Sequence, residues 1–351
     1  MGLPNIIIEF KSKASTAIRR GERGIVAVML IEQVGETTVT KLEDITQLPA
    51  DLTAENAAYL ERTFLGGQKP VRYVQLIRTD SVDNGLPALE TFKFDYFAAP
   101  PGVTEEEVTK ISVYFKTLRD NKNIRVKAVL PHCKADHEAV INFTTDDIVV
   151  GEKKYSAAEY CSRIAGMLAG TPLNVSSTYY VLAEVDDVPK FSRSELNARI
   201  DKGEFLIFHD GEKVKVGREV NSLQTLGENK GRIYTSIKGV DTMDMIYNDI
   251  HDTIEDVYIG KFANNYDNKC LIIVAIQTYL ETLRDEAILD EGITVGIDLE
   301  RQSAWLKASG TDISGMSEQE IKTANTESYV FLSGKYKILY AIEDVEIRFE
   351  I

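Results

Sequence analysis

The sequence is poor in the residues that carry most enzyme chemistry and most disulfide frameworks. Its 351 residues include four histidines and three cysteines, and the cysteines lie far apart at positions 133, 161 and 270. An odd number of widely spaced cysteines predicts reduced, buried thiols rather than disulfide bonds. Long apolar runs are also missing, since segments such as 271–276 are far shorter than the roughly 18 apolar residues that span a bilayer. We therefore expect no insertion of this chain into a membrane.

Positive charge is scarce, because 40 Lys and Arg residues face 55 Asp and Glu residues and leave a net charge of −15. Affinity for nucleic acid comes largely from cations that neutralise phosphates, so we expect no direct nucleic-acid binding. A secretory leader is not expected either, since Ile6, Ile7 and Ile8 are followed at once by Glu9 and Lys11. These features predict a protein that is made and used in a cytoplasm.

The sequence contains none of the common catalytic motifs. It has no G-x-S-x-G around a nucleophile, and the glycines at 66–69 lack the rest of a phosphate-binding loop. The densest group of potential ligands is His132, Cys133, Asp136 and His137, whose residue types suit zinc. Because no second ligand pair has finger-like spacing, a polar loop is the favoured interpretation, with no cofactor and no catalytic residue. An α/β hydrolase-like or metal-dependent enzyme that uses this group is the alternative.

Residues 25–188 alternate between strand and helix patterns. Three helices are predicted from their N-terminal signals, which are the N-cap Thr53, the capping-box pair Thr104 and Glu107, and the capping-box pair Ser156 and Glu159. Apolar or alternating segments predict strands over 25–31, 71–77, 91–97, 124–130, 140–143, 148–150 and 179–185. Strands that alternate with helices are typical of a largely parallel, covered sheet, so we predict an α/β domain here.

Residues 189–335 predict a second domain of the α+β class. Ser192 and Glu195 have capping-box spacing, and Asp210-Gly211 between two strand-like segments predicts a β-hairpin. Two long helices are predicted over 241–259 and 267–289, and the second is expected to be more buried because it is richer in apolar residues. In the first helix, an apolar stripe is expected to face the core. Its acidic residues lie mostly off that stripe, at Asp244, Asp249, Asp252, Glu255 and Asp256.

Both ends of the chain carry strand-like apolar segments, although chain ends usually fray. The N-terminal segment, 1–24, has five cations against two carboxylates, 5 − 2 = +3, and its notable residues are Ile6, Ile7, Ile8, Arg19, Arg20 and Arg23. The C-terminal segment, 336–351, ends in strict alternation, with its apolar side formed by Val345, Ile347 and Phe349. A terminal strand has to join a sheet, and that sheet can belong to another copy or to its own fold. The pattern alone leaves both open.

Several segments, in order along the whole chain, carry a family resemblance. They are 2–6 (GLPNI), 16–20, 23–27, 169–174 (AGTPLN), 179–182, 185–188, 210–214, 220–223, 243–246 (MDMI), 258–261 and 265–269 (NYDNK). Together they resemble the sheath proteins of contractile, myophage-type phage tails. The resemblance is greatest to the short form of defective prophages and of R-type, diffocin-like bacteriocins of Gram-positive bacteria.

The resemblance implies a structural protein. Sheath subunits form stacked hexameric rings around a tail tube, and contraction drives the tube through a target cell envelope. The partners implied are further copies of the chain, the tail tube protein, and the baseplate and tail terminator proteins, without a cofactor or nucleotide. The implied location is a virion tail or phage-tail-like particle, assembled in the cytoplasm of the bacterial host and released by lysis.

The resemblance also implies an organisation of the chain. The expected parts are an N-terminal arm over 1–24, a subtilisin-like but non-catalytic α/β domain over 25–188, a C-terminal α+β domain over 189–335 and a C-terminal arm over 336–351. Such arms complete sheets in neighbouring subunits. One feature fits poorly, because sheath helices often contact the tube through charges, and the obvious candidate helix over 241–259 is acidic.

The two arms have opposite charges, which suggests that they meet. Glu343, Asp344, Glu346 and Glu350 against Arg348 give the last 11 residues a charge of 1 − 4 = −3, against +3 for 1–24. Opposite charges on neighbouring strands favour pairing, and like charges oppose it. We therefore expect the N-terminal arm to pair with a C-terminal arm more readily than with its own kind.

Overall fold

The computed structural model describes residues 17–228 and 230–350. The chain divides into two compact units. The larger unit comprises Glu22–Asp244 and the C-terminal segment from Tyr340 onward. The smaller unit comprises Met245–Leu339 and the N-terminal residues up to Gly21. Within the described residues, no helix is long and apolar enough to cross a membrane.

The larger unit is built on a sheet of seven strands in the order β2-β3-β1-β4-β5-β6-β9. The strands are β1 Ile25–Ile31, β2 Thr38–Leu42, β3 Tyr73–Thr79, β4 Tyr96–Ala98, β5 Lys127–Pro131, β6 Val140–Phe143 and β9 Glu204–Phe205. Only the pairing of β2 with β3 is antiparallel, and the other neighbours run parallel. Residues 26–30 of β1 are completely buried, as expected for the centre of a parallel sheet with both faces covered. The predicted mixed α/β fold is therefore confirmed for this unit.

Three helices pack on this sheet, and they begin where the sequence predicts. They are α1 Ala54–Phe64, α3 Glu105–Lys122 and α4 Ala157–Ala169, and a short helix α2 spans Val82–Gly85. The Thr104 and Ser156 hydroxyls accept hydrogen bonds from the backbone of Glu107 and Glu159, whose carboxylates bond back to each cap. Such reciprocal bonds satisfy backbone N–H groups that a helix leaves without partners at its start.

Two of the predicted strands differ from the structure. In the predicted segment 91–97, the strand begins only at Tyr96, although the Asp95 backbone bonds to Ile25 and Lys127 and its carboxylate accepts hydrogen bonds from the backbone N–H groups of Gly24 and Ile25. The predicted strand 179–185 is wrong. Tyr179 has a left-handed φ of 59°, and a turn bond joins Val185 to Leu182. The segment therefore pairs only in part, through three backbone hydrogen bonds to residues 214–216 and one isolated bridge at Val181.

Beyond residue 188 the larger unit continues with α5 Arg193–Ile200, which has the predicted capping box at Ser192. The predicted hairpin is confirmed, since β10 Ile207–His209 pairs antiparallel with β11 Val214–Val216 around Asp210-Gly211. A second small ribbon is formed by β7 Ile148–Val150 and β8 Lys153–Tyr155. The seven-stranded sheet takes its edge strand β9 from beyond the expected boundary at 188.

The boundary between the units falls inside helix α6, Ile237–Thr253, which continues as a π-helical turn over Ile254–Tyr258. The remaining elements of the smaller unit are α7 Tyr266–Asp285, β12 Thr294–Ile297, α8 Leu299–Ala308, α9 Glu318–Thr323 and β13 Leu332–Lys335. Strands β12 and β13 form a two-stranded antiparallel sheet. Helix α7 buries one face, whereas Leu271 and Val274 on the other are 44% and 54% exposed, so the expected deeper burial holds for one face only.

The close packing of α4 on α1 generates a first prediction. Gly166 of α4 lies against the Thr63 carbonyl of α1, and an added Cβ would overlap that oxygen. Gly166→Ala should therefore lower the free energy of unfolding by about 1–3 kcal/mol through overpacking, although alanine favours a helix by about 1 kcal/mol over glycine. Denaturant unfolding followed by circular dichroism measures the change. Gly102→Ala, where a Cβ meets open space, is the control, and equal midpoints for the two variants would contradict the packing argument.

Candidate subunit-interaction site

The described chain begins with a segment that is tied to the smaller unit. The Arg19 backbone N–H donates to Thr253 Oγ1 at 2.9 Å, and the Gly21 N–H donates to Asp249 Oδ1 at 2.7 Å. Arg20 forms an ion pair of 3.2 Å with Glu286. The base of the predicted N-terminal arm is thus anchored within its own chain. The predicted interface residues Ile6, Ile7 and Ile8 lie outside the described residues.

Arg23 enters the larger unit and reaches a buried carboxylate. Its guanidinium lies 3.0 Å from Asp241 Oδ2, which also accepts a hydrogen bond of 2.7 Å from the Tyr96 hydroxyl. Lys127 of β5 lies 2.8 Å from the other oxygen of Asp241. Burial, together with the neighbouring charge of Asp241, raises the pKa of Tyr96 well above its ordinary value, so its hydroxyl stays a donor.

Asp244, one helical turn along α6, completes a cluster of buried charges. Arg119 of α3 binds it through two nitrogens at 2.6 and 3.0 Å, and Lys127 binds it at 2.9 Å. Arg119 also contacts Glu138 at 3.2 Å. We call Arg119, Lys127, Glu138, Asp241 and Asp244 the buried ion cluster. Burial alone would raise the pKa of Asp244, but the charges of Lys127 and Arg119 outweigh it and hold this pKa at about 2.

Burial on α6 extends to three of its carboxylates. The sequence places most acidic residues of this helix off its apolar stripe, yet Asp244 and Asp249 are buried, as is Asp241. Asp249 accepts hydrogen bonds from the Tyr279 hydroxyl and from a backbone N–H. The cations and hydroxyls that bind these carboxylates come from distant parts of the chain, so helical periodicity does not reveal them.

The group at 132–137 does not converge on one point. His132 lies 2.8 Å from Asp146, whereas His137 lies 3.2 Å from Asp120. Asp136 accepts hydrogen bonds from the backbone N–H groups of Gln224 and Thr225. The remaining member, the Cys133 thiol, is buried, which raises its pKa. Four side chains with separate partners do not form the ligand set of a zinc site.

A different group has the spacing to hold a metal ion. The ligand atoms of His251, Asp252 and Glu255 all lie within 4.8 Å of one another at the end of α6. His251 and Glu255 are exposed, and His251 Nδ1 lies 3.6 Å from Asp252 and 3.8 Å from Glu255. Exposed groups of this kind are common without a metal, so local charge compensation accounts for His251.

The C-terminal segment projects its apolar side chains into solvent. Val345, Ile347 and Phe349 are 67%, 69% and 81% exposed, and the described residues 341–350 form no strand. Within the described residues of this chain, pairing of the strand-like segment 336–351 is limited to one bridge between Leu289 and Ile338, just beyond β13, so the choice between its own fold and another copy is not decided by this structure. The alternating pattern is present, but this copy supplies no partner strand for the described residues.

The acidic residues before this apolar segment are held by the larger unit. Glu343 Oε1 accepts hydrogen bonds from Ser176 Oγ at 2.8 Å and Thr178 Oγ1 at 2.6 Å. Arg218 lies 3.4 Å from Glu343 and 2.5 Å from Asp344. Ser176, Thr178 and Arg218 carry no motif that would predict this role from the sequence. Within one chain, Arg20 and Arg23 contact other carboxylates, and Glu343 and Asp344 contact Arg218, so the mutual pairing of the two arms stays a prediction.

The sequence of this chain matches known protein families and a known relative. Two family models match the chain: the phage tail sheath protein central domain over residues 75–222 and the phage tail sheath C-terminal domain over residues 229–351. A tail sheath protein of Clostridium phage phiCD119 is 38% identical over 358 aligned residues, covering 100% of this chain and 99% of the relative. This chain belongs to the phage tail sheath protein family. The resemblance stated from sequence motifs is thereby confirmed.

Solved sheath structures share the fold. The sheath tail protein from Desulfitobacterium hafniense matches with a TM-score of 0.68 at 19% identity, covering 84% of this chain and 94% of that one. The helical sheath of the anti-feeding prophage in its contracted state matches with a TM-score of 0.73 at 14% identity, covering 100% and 99% of the two chains. These likenesses show that the fold of the described residues is the fold of solved sheath proteins.

The buried ion cluster of this sheath-family chain generates a second prediction. Asp244→Asn leaves Arg119 and Lys127 without one of their buried counter-charges, which should cost about 3–5 kcal/mol of unfolding free energy at neutral pH. Asp256→Asn makes the same charge change on an exposed residue of the following turn and should cost less than about 0.5 kcal/mol. Denaturant titrations of both variants measure the difference, and similar costs would contradict a stabilising role for the cluster.

The low pKa of Asp244 adds a pH dependence to this prediction. Because folding lowers that pKa from 3.8 to about 2, the stability it contributes is fully present above about pH 4 and is lost as the pH falls through 2. The stability of the parent should therefore fall more steeply than that of Asp244→Asn between pH 4 and pH 2. Parallel slopes in urea titrations across this range would count against the assignment.

Proposed function

We propose that this protein is the structural subunit of a contractile tail sheath, which polymerises as stacked hexameric rings around a tail tube. Contraction of the polymer would drive the tube through a target cell envelope. The observation that carries the proposal is the exposed apolar side of the C-terminal arm, Val345, Ile347 and Phe349, in a chain of the sheath family. Side chains of this size gain about 1.5–3 kcal/mol each when they are fully buried, which favours assembly.

The C-terminal arm, 336–351, is proposed to add as a strand to a sheet of a neighbouring copy. Its alternation places apolar side chains on one face and charged ones on the other once the backbone is extended. Added strands gain affinity from main-chain hydrogen bonds and specificity from alternate side chains. The arm therefore contains what strand addition requires, although its described residues 341–350 form no strand within their own copy.

The proposed acceptor is the sheet of β12 and β13 in the smaller unit. It has two strands in the described structure, and each has one edge without a strand neighbour there. Two-stranded sheets are marginal on their own, and their open edges present unpaired N–H and C=O groups. A strand from another copy would extend this sheet and satisfy those groups.

The organisation of the chain remains part of the proposal. We propose an N-terminal arm over 1–24, a subtilisin-like, non-catalytic domain over 25–188, an α+β domain over 189–335 and a C-terminal arm over 336–351. The parallel sheet with its packed helices supports the second part, and the bonds of Arg19 and Arg20 to the smaller unit support a fixed base for the first. Ile6, Ile7 and Ile8 remain the proposed interface residues of that arm.

The proposed partners follow from assembly as a sheath. They are further copies of the chain, the tail tube protein, and the baseplate and tail terminator proteins, in a virion tail or phage-tail-like particle. The energy of contraction would come from relaxation of a metastable extended polymer, without nucleotide. The enzyme alternative receives no support from residues 132–137, whose side chains have separate partners.

A third prediction compares the two faces of the C-terminal arm. Replacing Val345, Ile347 and Phe349 together by serine should abolish polymerisation, because strand addition would no longer bury an apolar face worth about 1.5–3 kcal/mol per side chain. The matched control replaces the alternate residues of the same segment by serine, which are Glu346, Arg348 and Glu350, and it should still polymerise. Circular dichroism confirms that both variants are folded, and negative-stain electron microscopy with sedimentation measures polymers. Normal sheaths from the apolar-face variant would contradict the proposal.

A further inference from the structure

We propose that Ser176, Thr178 and Arg218 form a clasp for Glu343 that fixes where the C-terminal arm leaves the larger unit, and that protonation of Glu219 tightens this clasp. The clasp is defined by those three residues. This proposal rests on the proposed function only where it gives the anchored arm a part in polymerisation. The contacts themselves belong to one chain and can be tested without assembly.

The clasp is the anchoring contact at the base of the apolar segment. Thr178 and Ser176 donate to the same oxygen of Glu343 at 2.6 and 2.8 Å, and Arg218 lies 3.4 Å from the other. The flanking Ile342 and Val345 are 90% and 67% exposed, so Glu343 is held between residues that project into solvent. Glu343 is thus anchored two residues before Val345, beside Asp344, which Arg218 also contacts at 2.5 Å, and this anchor sets the starting point of the arm.

The Ser176 hydroxyl is shared between two carboxylates. Its oxygen lies 2.8 Å from Glu343 Oε1, 3.1 Å from Glu219 Oε2 and 3.0 Å from Thr178 Oγ1. A serine has one hydroxyl proton, so it can donate to only one of these acceptors at a time. When Glu219 is ionised, it competes with Glu343 for that proton. When Glu219 is protonated, it no longer competes, and its own proton can be donated to Ser176.

Glu219 is buried in a setting that disfavours its charge. Burial raises its pKa, backbone N–H groups oppose this, and the nearby charge of Asp241 on α6 raises it further, to about 7. The charged or titratable groups that face Glu219 are Asp241, Tyr96 of β4, and Lys238 of α6, whose amine also faces Glu343. Ionisation of Glu219 near neutral pH therefore places two carboxylates around one hydroxyl proton.

The sign of the pH effect follows from the direction of this shift. Because folding raises the pKa of Glu219 from 4.5 to about 7, the folded state favours the neutral carboxyl. The stability that this neutral form contributes is lost as the pH rises through about 7. Glu219 is therefore mostly neutral at pH 6 and mostly ionised at pH 8. The clasp should thus hold Glu343 more firmly at pH 6 than at pH 8.

A nitroxide spin label on the arm tests the clasp in the full chain. Val345→Cys carries the label in a Cys270→Ser background, since Cys133 and Cys161 are buried and do not react in the folded protein. Hydrogen bonds to a charged group are strong enough that their loss should lower the ratio of immobilised to mobile label by about tenfold. We expect this fall in Glu343→Ala at both pH values, and a smaller fall in the parent between pH 6 and pH 8.

Two further variants separate the clasp from general charge effects. Glu346→Ala removes a carboxylate from the same segment and should behave as the parent, including its pH response. Ser176→Ala removes the shared proton but keeps Thr178 and Arg218, so the label should stay partly immobilised and its pH response should disappear. An immobilised label in Glu343→Ala would overturn the clasp, and an undiminished pH response in Ser176→Ala would overturn the link to Glu219.

Polymerisation of the unlabelled variants distinguishes this proposal from the proposed function. Electron microscopy should find fewer or irregular polymers for Glu343→Ala and normal ones for Glu346→Ala. If the label is released in Glu343→Ala while its unlabelled form builds normal sheaths, the clasp is supported. In that case the dependence of polymerisation on the anchored position is what fails, and the apolar-face variant still tests the role of the arm.

Discussion

Asp244 accepts two hydrogen bonds from Arg119 and one from Lys127 in a region that excludes water. A buried charge loses its hydration free energy, and this loss is offset only when the charge is paired. Removal of one partner therefore leaves the remaining charges desolvated and without compensation. Helix α6 can satisfy Asp241 and Asp244 only when these residues face α3 and β5. The buried ion cluster therefore fixes the rotation of α6 about its axis, and the position of every other residue on that part of the helix follows from it.

This constraint changes how the net charge of −15 is interpreted. The carboxylates of Asp241, Asp244 and Asp249 are bound within the chain, so they do not contribute a solvated acidic face to α6. Accessible negative charge on this segment is concentrated in its last turn, at residues such as Glu255 and Asp256. If this helix faces a tube, as the family resemblance implies, the tube would meet less negative charge than the sequence alone suggests. The acidic composition of the helix is then less of an objection to a contact with a tube.

The sequence predicts best the features that depend only on residues close together in the chain, such as helix caps and hairpin turns. The Thr104 and Glu107 box and the Asp210-Gly211 hairpin need only residues within one turn, and both are present. The sequence predicts poorly the contacts between side chains that are far apart in the chain. Asp244 looks like a surface residue until Arg119 and Lys127, more than a hundred positions away, are brought to it. The clasp is missed for the same reason, because a serine, a threonine and an arginine without a motif carry no signal.

The C-terminal arm is the one place where pattern and single-chain structure disagree for a different reason. Val345, Ile347 and Phe349 alternate as a half-buried strand does, yet they are exposed. A strand needs the backbone of a partner strand to satisfy its N–H and C=O groups. The preference of individual residues for extended backbone cannot supply those hydrogen bonds. The described residues of one copy supply no partner strand to the arm, so under the proposed function the alternation reflects an acceptor in another copy. Because Glu343 is anchored two residues before this face, the chain fixes where the proposed added strand would begin.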